Sequence, residues 1–283
     1  MLSVALAALS GLIWGVGDFS GGKATQRAAV LPVVWISKLV SLPLLVIYLI
    51  ATYVPVTAVG LAWGGLAGVA GVVGLVLFYR ALAAGAMTVV APVTGVTSAA
   101  IPVVVGLVAG ERPSFTRLLG VGCALLAIAL VSLAPHPAGQ RQVVTRRLVI
   151  AALGAGTGFA LFFVLLAVAG RAAGGAVGLW PIAGSQISAL VILALLLLMT
   201  RPGPWPRHAT LRWTMVAGPC DMTANALYLL AAQRGLLSVV APIAALYPAS
   251  TVLLALLVDR ERLRPIQLAG LGLAATALVL VAT

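Results

Sequence analysis

The chain has 283 residues, of which 63% are hydrophobic and only 8% charged, with a formal net charge of +12 and a mean hydropathy of +1.19. Soluble domains carry about 25% charged residues, so no water-facing surface can be built from this set and a soluble globular fold is excluded. The positive balance is no nucleic-acid footprint either: nearly all of the 17 basic residues lie between apolar runs, where they meet anionic headgroups and set topology.

A membrane-spanning helix needs about 20 predominantly apolar residues. Ten runs qualify, at 2–20, 31–53, 58–79, 86–109, 116–134, 148–170, 175–199, 210–232, 236–258 and 265–282. None alternates as an outer-membrane strand does, so the expected fold is an all-α polytopic membrane protein with ten transmembrane helices. The first run lacks a basic segment before it and reads as a helix rather than a cleaved signal. In the third run Gly65, Gly68, Gly71 and Gly74 recur every third residue, and Gly154 and Gly158 form a small-residue pair in the sixth; such faces let helix backbones approach closely. The polar stretch from Pro135 to Arg147 divides the chain nearly in half. The expected organisation is therefore a first five-helix repeat at 1–134, a linker at 135–147 and a second repeat at 148–283.

The two halves repeat one another. At an offset of 150, Val89-Val90-Ala91-Pro92 falls on Val239-Val240-Ala241-Pro242, Glu111-Arg112 on Glu261-Arg262, and Gly120 and Gly122 on Gly270 and Gly272. Five spans per half is an odd number, so the second half crosses the membrane in the opposite sense. Inverted repeats of this kind build many secondary transporters, with the site near the midplane.

Gly11-Leu12-Ile13-Trp14-Gly15, followed by Asp18-Phe19, resembles the Trp-Gly opening of the EamA family in the drug/metabolite transporter superfamily. Leu246-Tyr247-Pro248-Ala249-Ser250, with Glu261 thirteen residues beyond the proline, resembles the family's other marker. The first half departs from it, with Ser98 in that proline's place and Pro92 and Pro102 instead. The resemblance covers essentially the whole chain. It implies a carrier of amino acids, sugar phosphates, drugs or metabolites, and Asp18 stands where Asn or Ser is more usual.

Only five residues are acidic: Asp18, Glu111, Asp221, Asp259 and Glu261. Glu111, Asp259 and Glu261 sit at span ends among arginines and read as interfacial ion pairs or helix caps. Asp221 lies about halfway along the eighth run, where an ionised side chain costs on the order of 3 kcal/mol or more. Asn225 and Tyr228 follow at helical spacing on the same face, which must line a cavity or be paired inside the protein. Lys38 stands a third of the way into the second run, either snorkelling to an interface or facing a cavity. The repeat sets Gln186 opposite it at an offset of 148. Asp18 is either an interfacial carboxylate near Lys23 or a gating or coupling group. Thr94, Thr97 and Ser98 can bond back to their own helix, and Pro92, Pro242 and Pro248 are expected to bend theirs.

These residues suggest a secondary transporter, an exporter, of a small polar metabolite such as an amino acid, working by alternating access in the inner (plasma) membrane. Asp221, Asn225, Gln186, Lys38 and Asp18 would supply polar or coupling contacts, with Trp14, Trp35, Tyr228 and Tyr247 as aromatic surface. The alternatives are a lipid or lipid-linked headgroup flippase and an intramembrane aspartyl protease, the latter because Gly15-Val16-Gly17-Asp18 fits a Gly-x-Gly-Asp pattern and Asp221 would supply a second carboxylate. No enzyme activity, cofactor, metal or nucleic acid is expected: Cys123 and Cys220 lie in separate apolar runs, His136 and His208 in loops, and no phosphate-binding glycine loop is present. The expected partners are the solute and the bilayer; the number of copies stays open, a monomer being compatible. Loops after odd-numbered spans hold twelve basic residues and those after even-numbered spans four, which places the linker in the cytoplasm and both termini outside. The family resemblance implies the reverse.

Overall fold

The structure, a computed structural model, describes residues 1–83, 87–133, 145–172, 177–200, 203–260 and 264–283. Most of the linker with His136 and Arg141, and also Arg201, Glu261 and Arg262, lie outside the described residues. The chain forms α1 (Leu2–Thr25), α2 (Val30–Val40), α3 (Leu42–Thr52), α4 (Ala58–Ala83), α5 (Met87–Val108), α6 (Phe115–Val131), α7 (Arg146–Arg171), α8 (Trp180–Met199), α9 (His208–Arg234), α10 (Leu237–Ala244), α11 (Tyr247–Asp259) and α12 (Pro265–Ala282). Two crossings are each made by a pair of helices, α2 with α3 over Val30–Thr52 and α10 with α11 over Leu237–Asp259. The twelve helices thus make ten crossings, five in each half.

Proline explains both breaks. Pro43 stands near the start of α3 and Pro248 near the start of α11. A proline ring clashes with the carbonyl four residues back and offers no N–H to the ladder, so the chain pauses at Ser41 and at Ala245–Leu246. The repeat of α10 and α11 in the first half is α5, which has Ser98 in place of Pro248 and runs unbroken past Pro92 and Pro102. The expectation of bends thus resolves into a full break after Pro242 and continuity in α5. The α2–α3 break was not expected. Two ends also differ from the sequence reading. The first helix continues to Thr25, which puts Asp18 almost two turns inside it. The seventh crossing begins only at Trp180, after a turn at Val177–Leu179.

The major helix contacts join one half to the other: α1 with α9, α4 with α7 and α8, α5 with α7, and α6 with α12. They also come in matched pairs. Exchanging the halves converts α1·α9 into α7·α4, and α2·α9 into α8·α4, while α6·α12 maps onto itself. The contact pattern therefore carries the two-fold of an inverted repeat, with α6 and α12 beside the axis. Glycine makes the tightest of these approaches possible. A Cβ at Gly158 would lie 2.6 Å from the Cα of Gly74, and Gly68 and Gly71 abut α8 and Phe162. A Cβ at Gly65 would meet nothing within 4 Å, but the Gly65 backbone lies against α8, its N 2.9 Å from where a Cβ at Gly184 would stand.

Candidate functional site

Counting crossings from Met1, Lys23 and Asp259 lie at one end of the bundle, and Glu111, Arg171 and Leu237 at the other. Each end carries an ion pair between the halves. Lys23 Nζ lies 2.6 Å from Asp259 Oδ1, so Lys23 is taken by α11 rather than by Asp18.

The opposite end is closed by Glu111. Its carboxylate accepts from the backbone N–H groups of Leu237 and Ser238, each at 2.8 Å, and from Ser238 Oγ at 2.6 Å. Arg171 Nη2 adds an ion pair at 3.2 Å and also donates to the carbonyl of Gly235 at 2.7 Å. Glu111 therefore caps the N-terminus of α10, where unpaired N–H groups favour an anion. Burial pushes its pKa up, but hydrogen bonds from Ser238 and Leu237 and the Arg171 charge outweigh that and hold it below its ordinary value.

Behind this latch lies an aromatic plug. Trp14 packs edge-on to Phe163 at 5.5 Å and to Tyr247 at 6.4 Å, and lies 6.0 Å from Tyr228. Tyr228 is fully buried and donates to the carbonyl of Phe163 at 2.9 Å. In this conformation Tyr228 has no face open to a solute, and Trp14 is nearly closed off with it.

Toward the Lys23 end the bundle opens. Lys38 Nζ meets Asp221 Oδ2 at 2.6 Å across the α2–α9 contact, with the two side chains 21% and 34% exposed. Asp18 is close enough for its charge to act on Asp221 of α9, Tyr79 of α4 and Tyr247 of α11. Its neighbours come from three other helices, so it faces inward, yet its surface is exposed. An inward carboxylate that remains open, beside the partly exposed Lys38–Asp221 pair, marks a polar recess between α1, α2 and α9. Asp18 makes no ion pair among the described residues.

Gln186 is buried and builds the wall. Its Nε2 donates to the carbonyl of Lys38 at 2.7 Å and to Ser41 Oγ at 2.8 Å, while Ser41 Oγ donates to that same carbonyl. The carbonyls at the end of α2 have lost their helical partners, and Gln186 and Ser41 replace them beside the ion pair. Asn225 donates to the carbonyl of Asp221 at 2.7 Å, but its Oδ1 is buried without a donor. Trp35 lies elsewhere, packed with Val76 and Leu193 and edge-on to Trp205 at 6.4 Å. It does not join the Trp14–Tyr247 group. Thr94 donates across to the carbonyl of Ala152 of α7 at 3.1 Å, whereas Ser98 bonds within α5.

The sequence reading omitted Tyr79 and Tyr48. Tyr79 precedes Arg80 at the end of an apolar run, where a tyrosine looks like an interfacial anchor. Tyr48 shares a hydrogen bond with Thr223 at 2.9 Å, a contact 175 residues apart that no local pattern signals. Among the described residues no three His, Cys, Asp or Glu side chains gather as a metal site would require.

A ten-helix inverted repeat around a polar cavity defines a membrane transporter of the drug/metabolite type. The model of the EamA-like transporter family matches residues 1–133 and again 146–283, and the chain belongs to that family. A protein of known crystal structure is similar over 99% of this chain and 98% of its own, with a TM-score of 0.78 at 14% identity; at that identity the likeness speaks for the fold. No curated protein matches in sequence.

Proposed function

We propose that the protein is a secondary transporter that exports a small polar metabolite, such as an amino acid, by alternating access in the inner membrane. Its working units are the repeats at 1–134 and 148–283, joined by 135–147. The observation that carries this reading is the Lys38–Asp221 pair, placed within two membrane spans yet partly exposed. A charge pair kept within a membrane span is costly, and an exposed pair lining a water-filled path is the form expected where solutes bind.

The latch at Glu111 and the aromatic plug seal one end, and Asp18, Lys38 and Asp221 look toward the other. Such a conformation presents the site to one side. Rocking of the two-fold-related halves then presents it to the opposite side.

The flippase alternative asks for a polar lateral opening. An apolar crevice of about 360 Å³ does run between α1, α10, α11 and α12, lined by Leu12, Leu246, Leu253 and Leu271 among others. Ser250 is the polar group there, and its hydroxyl is spent on the carbonyls of Gly11 and Tyr247. The crevice suits an acyl chain and gives a headgroup no polar track. The protease alternative needs Asp18 and Asp221 to share a water, but Asp221 is taken by Lys38.

A panel of radiolabelled amino acids and related polar metabolites in proteoliposomes tests the reading. Counterflow of at least one solute is expected, and no flux across the panel with correctly folded protein would overturn it.

A further inference from the structure

We infer that the solute is a small primary amine of net charge +1, whose ammonium is held by Asp18. This deepens the transporter reading and rests on it.

Charge bookkeeping at the cavity gives the first reason. Two carboxylates and one ammonium face it. Asp221 is neutralised by Lys38 at 2.6 Å, and the other nearby lysine, Lys23, is neutralised by Asp259. Asp18 is left exposed, inside the bundle, and without an ion pair among the described residues. A lone carboxyl within a span is kept neutral by a proton or by a compensating cation, and the accessibility of Asp18 lets a solute ammonium take the proton's place. A zwitterion would add a carboxylate to a site already carrying an excess negative charge. A solute of net +1 closes the balance.

The second reason is independent of charge. Asn225 is 5% exposed, and its Oδ1 has no hydrogen-bond donor. It stands one turn from Asp221 on the same face of α9, about 6 Å along. A buried acceptor left unmatched costs about 1–3 kcal/mol, and a solute N–H reaching it as the halves close removes that cost. A primary ammonium has three N–H groups, enough for Asp18 and a further acceptor. A quaternary ammonium has none.

Four probes of one shape separate the possibilities: phenethylamine, its N,N,N-trimethyl analogue, phenylalanine and 3-phenylpropionate. Each is titrated calorimetrically into the purified full-length protein. Phenethylamine is expected to bind about 10- to 100-fold tighter than the other three, as a charge-assisted hydrogen bond implies. Asp18→Asn should remove that preference, and Asp18→Glu should retain most of it, with thermal unfolding showing that both variants fold. Equal binding of phenylalanine, or an undiminished amine preference in Asp18→Asn, overturns the inference. Phenylalanine flux in proteoliposomes without amine binding would also overturn it while leaving the transporter reading standing. Amine binding without counterflow of any probe would uphold the amine site and count against transport.

Discussion

Lys38 and Asp221, 183 residues apart, meet at 2.6 Å between α2 and α9, and this contact joins the two repeats across the cavity. From the sequence the two stood as separate candidates for polar contacts to a solute. The structure has them gripping each other, so removing either one leaves a partly enclosed charge behind. We predict that Lys38→Met and Asp221→Asn each destabilise the protein by about 1–3 kcal/mol. The double variant should lose clearly less than their sum. Thermal unfolding of the four proteins in one detergent gives the coupling, and strict additivity would show that the pair contributes none.

Glu111 sets the acid limit of the latch. Its pKa is depressed from the ordinary 4.5, so the stability it contributes is fully present above that value. That contribution fades as pH falls through the lower folded-state value. Unfolding followed downward from pH 6 should show a loss below about pH 4.5 in the wild type that is missing from Glu111→Gln. At neutral pH Glu111→Ala should cost about 2–4 kcal/mol, since several charge-assisted hydrogen bonds disappear together.

The α4–α7 crossing depends on absent side chains. Gly158→Ala places a methyl against the Gly74 backbone, which has no flexible end to move, and is expected to cost about 1–3 kcal/mol. Gly272→Ala, with nothing within 4 Å, serves as the silent control. Equal unfolding temperatures for the two would mean that the helices tolerate separation.

The orientation follows from charge alone. A C-terminal reporter active only in the cytoplasm should stay inactive if the twelve basic residues after odd-numbered spans face inward as the positive-inside rule requires. Activity would reverse the assignment.

The crossings were legible because apolar runs of membrane length have few other uses, and the inverted repeat because Pro92, Glu111 and Gly120 recur with fixed spacing. The helix breaks were half legible. Pro248 announced a disturbance in its span, but Pro43 was hidden in the middle of a long apolar run, and whether a proline bends or breaks a helix depends on its packing. Gln186 and Lys38 were matched by the repeat, and the structure joins them through the Lys38 carbonyl. Symmetry-related positions near a two-fold axis must come close. What the sequence withheld was partnership: that Asp221 is spoken for, that Asp18 is not, and that Tyr79 stands near it. These are contacts between distant spans, fixed by helix rotation rather than by any local pattern.

The most direct test of the cavity as a solute path is flux through the Lys38→Met, Asp221→Asn double variant. Both charges are gone together, so neither is left without its partner. Radiolabelled solute counterflow is measured in proteoliposomes beside the wild type, with thermal unfolding confirming the fold. The account predicts a folded protein whose flux falls to the level of empty liposomes. Wild-type flux from the folded double variant would contradict it and reduce the pair to a structural brace.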